Sequence, residues 1–589
     1  MPAELLLKIF KLYVLWWNEQ VVPLVDRECD ENPKYSTCGW VRRITHICYR
    51  WRVVALRDPS LWSNVFLTTS PGARIIFDRS GDSYPLSVHR YMGSEDYDHT
   101  CPMWFLILRH AHRVSKLTVE IDSTNFPFSG CHPVFTQLED LTIQRKTTVS
   151  ASTAPPFAHP KVLPALRRLA VRRLLVPDLQ PLFNDRLTHL SLTLCSQYPD
   201  PELPWSVFLR IFCSMNNLVQ LVLFSALPND PYGTLHEGAV ILPRLRKLQM
   251  SDYSSSITDF LRLLSAPSDA FVYIGCWESV IIGSNGQRDL AELSEQLSAA
   301  LSESRLLGST ARFHCVDIVC EPMPEGWDHT SLYAWQKAYP ASDLEPLRSR
   351  PQNEEGLPGL QLTSSDLFVE SRALVELCQT LPFRDVLTFA VRLGDYNLTP
   401  ADFIDMSFAM PNVENLLVDS GPANGLCTAF LRIPAIVLFR NLKVLTLEGM
   451  RIYSSQQLEE YESMDLEREQ LFLDLETLQC FRKALLTRAL DRFPLDKLII
   501  KRAWRVDQGD IDTLKEALEA TGAVRTIEWD GLILHGECAH PDCGALCELL
   551  AFASDEDTED EDEEESGEEK DGAEEADKDD RGDGMDKDE

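Results

Sequence analysis

The residues best able to do chemistry in this 589-residue chain gather near its C-terminal end: His535, Cys538, His540, Cys543 and Cys547, within HGECAHPDCGALC. Imidazole nitrogen and thiolate sulfur are the ligands zinc prefers, and five of them in thirteen residues could hold a metal. Their spacings do not form paired C-x-x-C units, the arrangement that makes such a site persuasive. The plainer reading is a turn at the end of the folded chain with partly buried thiols, so neither metal nor cofactor is expected. Elsewhere the sequence lacks a G-x-x-x-x-G-K-[ST] phosphate loop, an H-E-x-x-H zinc helix and a G-x-S-x-G nucleophile turn. No catalytic residue can be named, and the chain does not read as an enzyme. Asn397-Leu398-Thr399 is a glycosylation sequon by letter only.

The elements that would position any functional surface are repeats. An L-x-x-L-x-L pattern recurs as Val114/Leu117/Val119, Leu138/Leu141/Ile143, Leu166/Leu169/Val171, Leu187/Leu190/Leu192, Leu218/Leu221/Leu223 and Leu245/Leu248/Met250. It resumes as Val386/Phe389/Val391, Val413/Leu416/Val418, Leu442/Leu445/Leu447, Leu495/Leu498/Ile500 and Val524/Ile527/Trp529. Steps between first positions are 24, 28, 21, 31 and 27, then 27, 29, 53 and 29 residues. A period of about 20–29 residues is that of a leucine-rich repeat, whose strands point alternate apolar residues inward while helices or loops return outside. Trp205–Met215, Ile257–Leu264 and Ala401–Met410 read as such returns. The repeats are irregular, which predicts a distorted, curved solenoid. The interval from about Pro267 to Leu381 is weakest. Phe271–Ile282 and Phe313–Val319 read as strands there, and Glu321–Gly359, rich in Pro, Glu and Ser, as an exposed excursion. Ser454 to about Glu476 reads as a charged insertion outside the stack.

The N-terminus has a different pattern. Pro2 suits a helix entry, Glu4 favours its positive end, and Leu5/Ile9 and Leu6/Phe10 are apolar pairs four apart. Ile44, Ile47, Cys48, Trp51, Val54 and Ala55 recur at helical spacing until Asp58-Pro59, with Trp62 and Phe66 beyond. A unit of roughly 60 residues is hard to stabilise alone, so a partner would complete it.

These residues resemble an F-box. The segment P-A-E-L-L-L-K-I-F is similar to that family's opening motif, with Met1 where Leu is usual, and T-H-I-C-Y-R-W-R-V-V-A-L-R-D-P-S-L-W resembles the F-box-like proteins abundant in mushroom-forming fungi. The resemblance implies that Pro2, Glu4, Leu5, Leu6, Ile9 and Phe10 dock a Skp-family adaptor, and through it a cullin. It also implies that Cys48, Trp51, Leu61 and Trp62 build the small helical core. Residues from about Trp17 to Gly39 read as a polar loop between the helices.

Composition bounds the alternatives. A chain 44% hydrophobic and 25% charged has the make-up of an ordinary soluble protein, and no apolar run reaches the ~18 residues of a membrane span. The 16 cysteines form no regular framework, as in a reduced cytosolic or nuclear chain. From Asp555 onward 22 Asp or Glu face 4 Lys or Arg, a net of −18 within the total of −34, which predicts a disordered tail. An overall pI near 4.8 argues against nucleic acid as a partner. The fold class expected is therefore α/β: a helical F-box-like unit over 1–67, an irregular leucine-rich-repeat array over 68–550 and an acidic tail over 551–589. The function expected is client recognition for an SCF-type ubiquitin ligase, with the array holding a client protein. The alternative is a non-enzymatic repeat scaffold that binds basic proteins through the acidic tail.

Overall fold

The structure is a computed structural model. It describes residues 1–28, 39–66, 70–90, 102–121, 134–145, 163–174, 179, 182–193, 205–228, 240–267, 270–277, 295, 312–322, 328–348, 358–364, 371–394, 396, 398–432, 438–449, 481–504, 508–531 and 533–534. The His535–Cys547 cluster, the 454–476 insertion and the acidic tail lie outside the described residues.

Met1–Ile533 form one compact unit whose frame is a single 17-stranded sheet. Asn64–Phe66, Leu86–Arg90, Val114–Ile121, Asp140–Arg145, Arg168–Arg172, His189–Thr193, Gln220–Phe224, Lys247–Tyr253 and Phe271–Trp277 follow one another in parallel. Thr388–Arg392, Asn415–Val418, Val444–Glu448, Leu495–Lys501 and Val524–Trp529 do the same at the other end. Each of the eleven apolar triplets lies on or just before one of these strands, and all their members are buried except Trp529, which is partly so. That is the alternation a strand imposes when one face is packed and the other is not. The 53-residue step adds no strand between its two ends, because Val444–Glu448 pairs directly with Leu495–Lys501.

The helices cover the apolar face. Trp205–Cys213 buries Trp205, Phe208 and Phe212, and Phe212 meets Phe260 of helix Ser254–Leu263 edge to face at 5.9 Å. Helix Pro400–Ala409 starts in a capping box, Thr399 and Asp402 each satisfying the other's backbone N–H. Helix Ser420–Arg432 lies so close to its neighbour that a Cβ on Gly425 would overlap the carbonyl of Leu398.

Over its described residues, the stretch from Glu321 to Gly359 is not an exposed excursion. Leu360–Ser364 pairs in parallel with Phe271–Trp277, Asp328–Trp335 pairs antiparallel with Leu360–Ser364 and with Cys315–Pro322, and Cys315–Pro322 pairs in parallel with Thr388–Arg392. The chain thus visits three sheet positions in reverse order and joins the two parallel runs without a gap. Within the expected excursion, Leu332, Tyr333, Ala334 and Trp335 are buried at the centre of the sheet. Polar letters misled because alternate residues of this strand face two separately packed sides.

Two further expectations are corrected at the N-terminus. The first helix is Ala3–Glu28, running through Pro23 and past the point where a loop was expected at Trp17. An interior proline removes one backbone donor and crowds the carbonyl four residues earlier, so the helix continues through it against a cost of about 3 kcal/mol. The second helical run is broken into Gly39–Thr45 and Tyr49–Arg57. The Arg52 guanidinium donates to the Thr45 carbonyl at 2.9 Å and closes the break. The described N-terminal helices share one continuous apolar core with the array, and Asn64–Phe66 already belongs to the sheet.

Candidate functional site

The first helix has two apolar stripes. Leu6, Phe10, Val14 and Trp17 point inward; Phe10 meets Trp51 edge to face at 5.0 Å, and the Arg43 guanidinium lies 4.8 Å from the centre of the Trp17 ring. Leu5, Ile9, Leu12 and Trp16, spaced four, three and four residues, are exposed by 50, 43, 68 and 50%. Exposed large apolar residues gathered on one helix face make it a candidate docking surface. Of the residues expected to dock the adaptor, Pro2, Glu4, Leu5 and Ile9 are therefore exposed, whereas Leu6 and Phe10 are core. Leu12 and Trp16, not singled out from the sequence, share this exposed stripe, although a helix apolar on two sides is a legible signal.

Among the expected core residues, Leu61 and Trp62 are buried, and the Trp62 indole donates to the Ala55 carbonyl at 3.0 Å. Trp40 packs 5.3 Å from Trp62, and the Arg79 guanidinium lies 4.7 Å over it. Trp51 is partly buried. Cys48 is not core: it is exposed and caps helix Tyr49–Arg57, its Sγ accepting from the Trp51 N–H at 3.5 Å. Its position just before the helix, with an extended backbone, puts the side chain at the helix end rather than under it.

The sheet face opposite the helices is the second candidate surface. One lateral row crosses it through Thr118, Thr142, Ala170, Ser191, Val222, Gln249, Tyr273, Gln361, Tyr333, Asp317, Ala390, Leu417 and Thr446, all in register. Over Cys315–Val418 this face is roofed. Helix Ala341–Arg348 lays Ala341, Leu344 and Leu347 onto Cys315, Tyr333, Trp335, Ala390 and Leu417, forming a second apolar core separate from the first. The Tyr339 N–H donates to Cys315 Sγ at 2.9 Å and its carbonyl accepts from Thr388 at 2.8 Å, tying the approach to the helix to the sheet.

Charges anchor the roof. Asp317, fully buried, accepts from Arg392 Nη1 at 2.7 and 2.8 Å, and Arg348 Nε of the roof helix lies 3.3 Å from its Oδ2. Arg392 also reaches Glu448 at 3.3 Å, and Arg502 reaches the same carboxylate at 3.6 Å. Burial pushes the Asp317 carboxyl up, against the pull of Arg392 and Arg348. Asp419, just past the end of its strand, is pushed up to about 7, chiefly by burial, while Gly394 donates its N–H to it at 2.7 Å. Asp317 is matched by Arg392 and Arg348, which ties the roof helix to the sheet, whereas Asp419 is held by backbone N–H groups. Among the described residues no group of His, Cys, Asp and Glu is disposed to hold a metal ion, and no helix is long and apolar enough to cross a membrane.

No family model and no curated protein matches this chain. Among solved structures, a leucine-rich-repeat-containing protein from Legionella pneumophila is similar over 66% of this chain and 91% of its own, with 12% identity and a TM-score of 0.22. So loose a superposition carries no argument. The repeat character rests on the strand ladder and its apolar period.

Proposed function

We propose that this chain is a client-recognition subunit of an SCF-type ubiquitin ligase, docking a Skp-family adaptor through its N-terminal helices and holding a client protein on its repeat array. The observation that carries this reading is the exposed stripe Leu5, Ile9, Leu12 and Trp16 on the helix where the resemblance to the F-box family puts adaptor docking. Burying such a stripe contributes about 1.5–3 kcal/mol for each side chain fully removed from water. Catalysis resides in other subunits; this chain raises the effective concentration of client lysines near a ubiquitin-charged enzyme.

The test is co-expression of the full chain with a Skp-family adaptor and size-exclusion chromatography, beside Leu5→Asp with Ile9→Asp. These two side chains are exposed, so the variant should keep its fold by circular dichroism while the complex is lost. A folded wild-type chain with no adaptor binding, or a variant that binds undiminished, would defeat the proposal and favour a free-standing repeat scaffold.

A further inference from the structure

We infer that the client-contacting part of the array is the sheet face between Lys116 and Lys247, which no described helix covers, and that it takes an extended acidic segment. This rests on the reading that the array holds a client, and it names where and of what chemistry. Residues 102–247 contain 15 Lys or Arg against 10 Asp or Glu, a net of +5 in a chain whose total is −34. On the described open face of these strands the cations are Lys116, Arg168, Arg172 and Lys247, and the carboxylates are Asp140 and Glu120.

Register turns this charge into a pattern. Lys116, Asp140, Arg168, His189, Gln220 and Lys247 share one lateral row on neighbouring strands. Strands lie about 4.8 Å apart, so Lys116 to Arg168 is about 10 Å and Arg168 to Lys247 about 14 Å. A chain crossing the strands in extended form advances about 3.3 Å per residue, which places its acidic side chains about three and then about four residues apart. The next row, Thr118, Thr142, Ala170 and Ser191, is made of short side chains and supplies a low floor beside the cations. Asp140 bridges Lys116 at 3.7 Å and Arg168 at 3.9 Å and holds both for a stronger acidic partner. Beyond Phe271 the roof helix and the neutralised Asp317 cluster take the corresponding place on the face.

The experiment is fluorescence anisotropy of the full chain with a labelled peptide carrying glutamates three and then four residues apart, beside its glutamine counterpart. Expected is binding of the glutamate peptide that weakens about tenfold in Arg168→Glu with Arg172→Glu, because like charges then face each other. Binding should also weaken between about 50 and about 300 mM salt. Asp140→Asn frees two cations and should tighten binding about threefold. Lys497→Glu with Lys501→Glu, on a strand outside the lane, should change nothing. Equal affinity for the glutamine peptide, weaker binding in Asp140→Asn, or preference for a single-stranded RNA oligomer would each overturn the inference. Leu5→Asp with Ile9→Asp should leave peptide binding intact, so failure of the adaptor reading and failure of this one are read separately.

Discussion

Along one lateral row of the sheet, Thr118, Thr142, Ala170 and Ser191 are partly exposed, whereas Tyr333, Asp317, Ala390 and Leu417 in the same row are buried. The backbone frame is the same hydrogen-bonded ladder in both stretches. What differs is the connection between Trp335 and Leu360, long enough to fold a helix back over the face. Where no described helix crosses the face, Thr118, Thr142, Ala170 and Ser191 keep short, partly exposed side chains. Where one connection crosses over, it needs an apolar bed and a fixed charge to seat it, and the sheet supplies both. The comparison shows that a parallel ladder does not by itself decide which stretch of its open face is available to a partner.

The sharpest way to break the comparison is at Asp317. Asp317→Ala leaves Arg392 and Arg348 without their shared carboxylate in a buried setting and should cost about 3–5 kcal/mol in urea unfolding. Asp140→Ala, the exposed counterpart bridging Lys116 and Arg168, should cost less than about 1 kcal/mol in the same assay. Similar losses at both sites would show that the roofed and open stretches are not energetically distinct.

Leu344→Ala comes next. It removes a fully buried side chain from the roof helix and should cost about 2–4 kcal/mol, with a new cavity against Trp335 and Leu417. Thr142→Ala, on the open stretch of the same face, should stay within about 0.5 kcal/mol.

A smaller, pH-dependent effect is expected at Asp419. Its folded pKa of about 7 lies above the ordinary carboxylate value of about 4, so between those limits the folded chain keeps a proton that the unfolded chain has released. Stability from this group is therefore present at low pH and lost as pH rises toward 7. Asp419→Asn removes the titration while keeping an acceptor for the Gly394 N–H. At pH 7.5 it should exceed the wild-type chain by about 1–2 kcal/mol, with the advantage vanishing near pH 4. A difference that does not change with pH would show that the side chain stays ionised in the folded state.

Much of this architecture was legible because its signal is local. Each apolar triplet sits on one strand, and the period between triplets is set by the chain length needed to leave the sheet and return. Leu5 and Ile9 were legible for the same reason, their spacing placing them together on any helix. Leu6 and Phe10 share that spacing, and no local rule distinguishes the stripe that meets Trp51 from the one that meets solvent. Cys48 matched a core position by motif, yet the break after Thr45 turned it into a cap. The strand Asp328–Trp335 was hidden because its two faces are buried in two different cores: Ile318 and Leu362 belong to the main core, and Leu344 and Leu417 to the second.

By itself, then, the sequence determined the repeating strand, its inward face, the helical N-terminus and the charge imbalance, since each follows from side-chain periodicity or a count. Tertiary structure decided the reversed order of three central strands, the roof over Cys315, Tyr333, Trp335, Ala390 and Leu417, the pairing of Asp317 with Arg392 and Arg348, and which stripe of the first helix is left exposed. Those outcomes depend on segments distant in sequence competing for the same buried surface, and a competition between distant segments leaves no periodic trace in either of them.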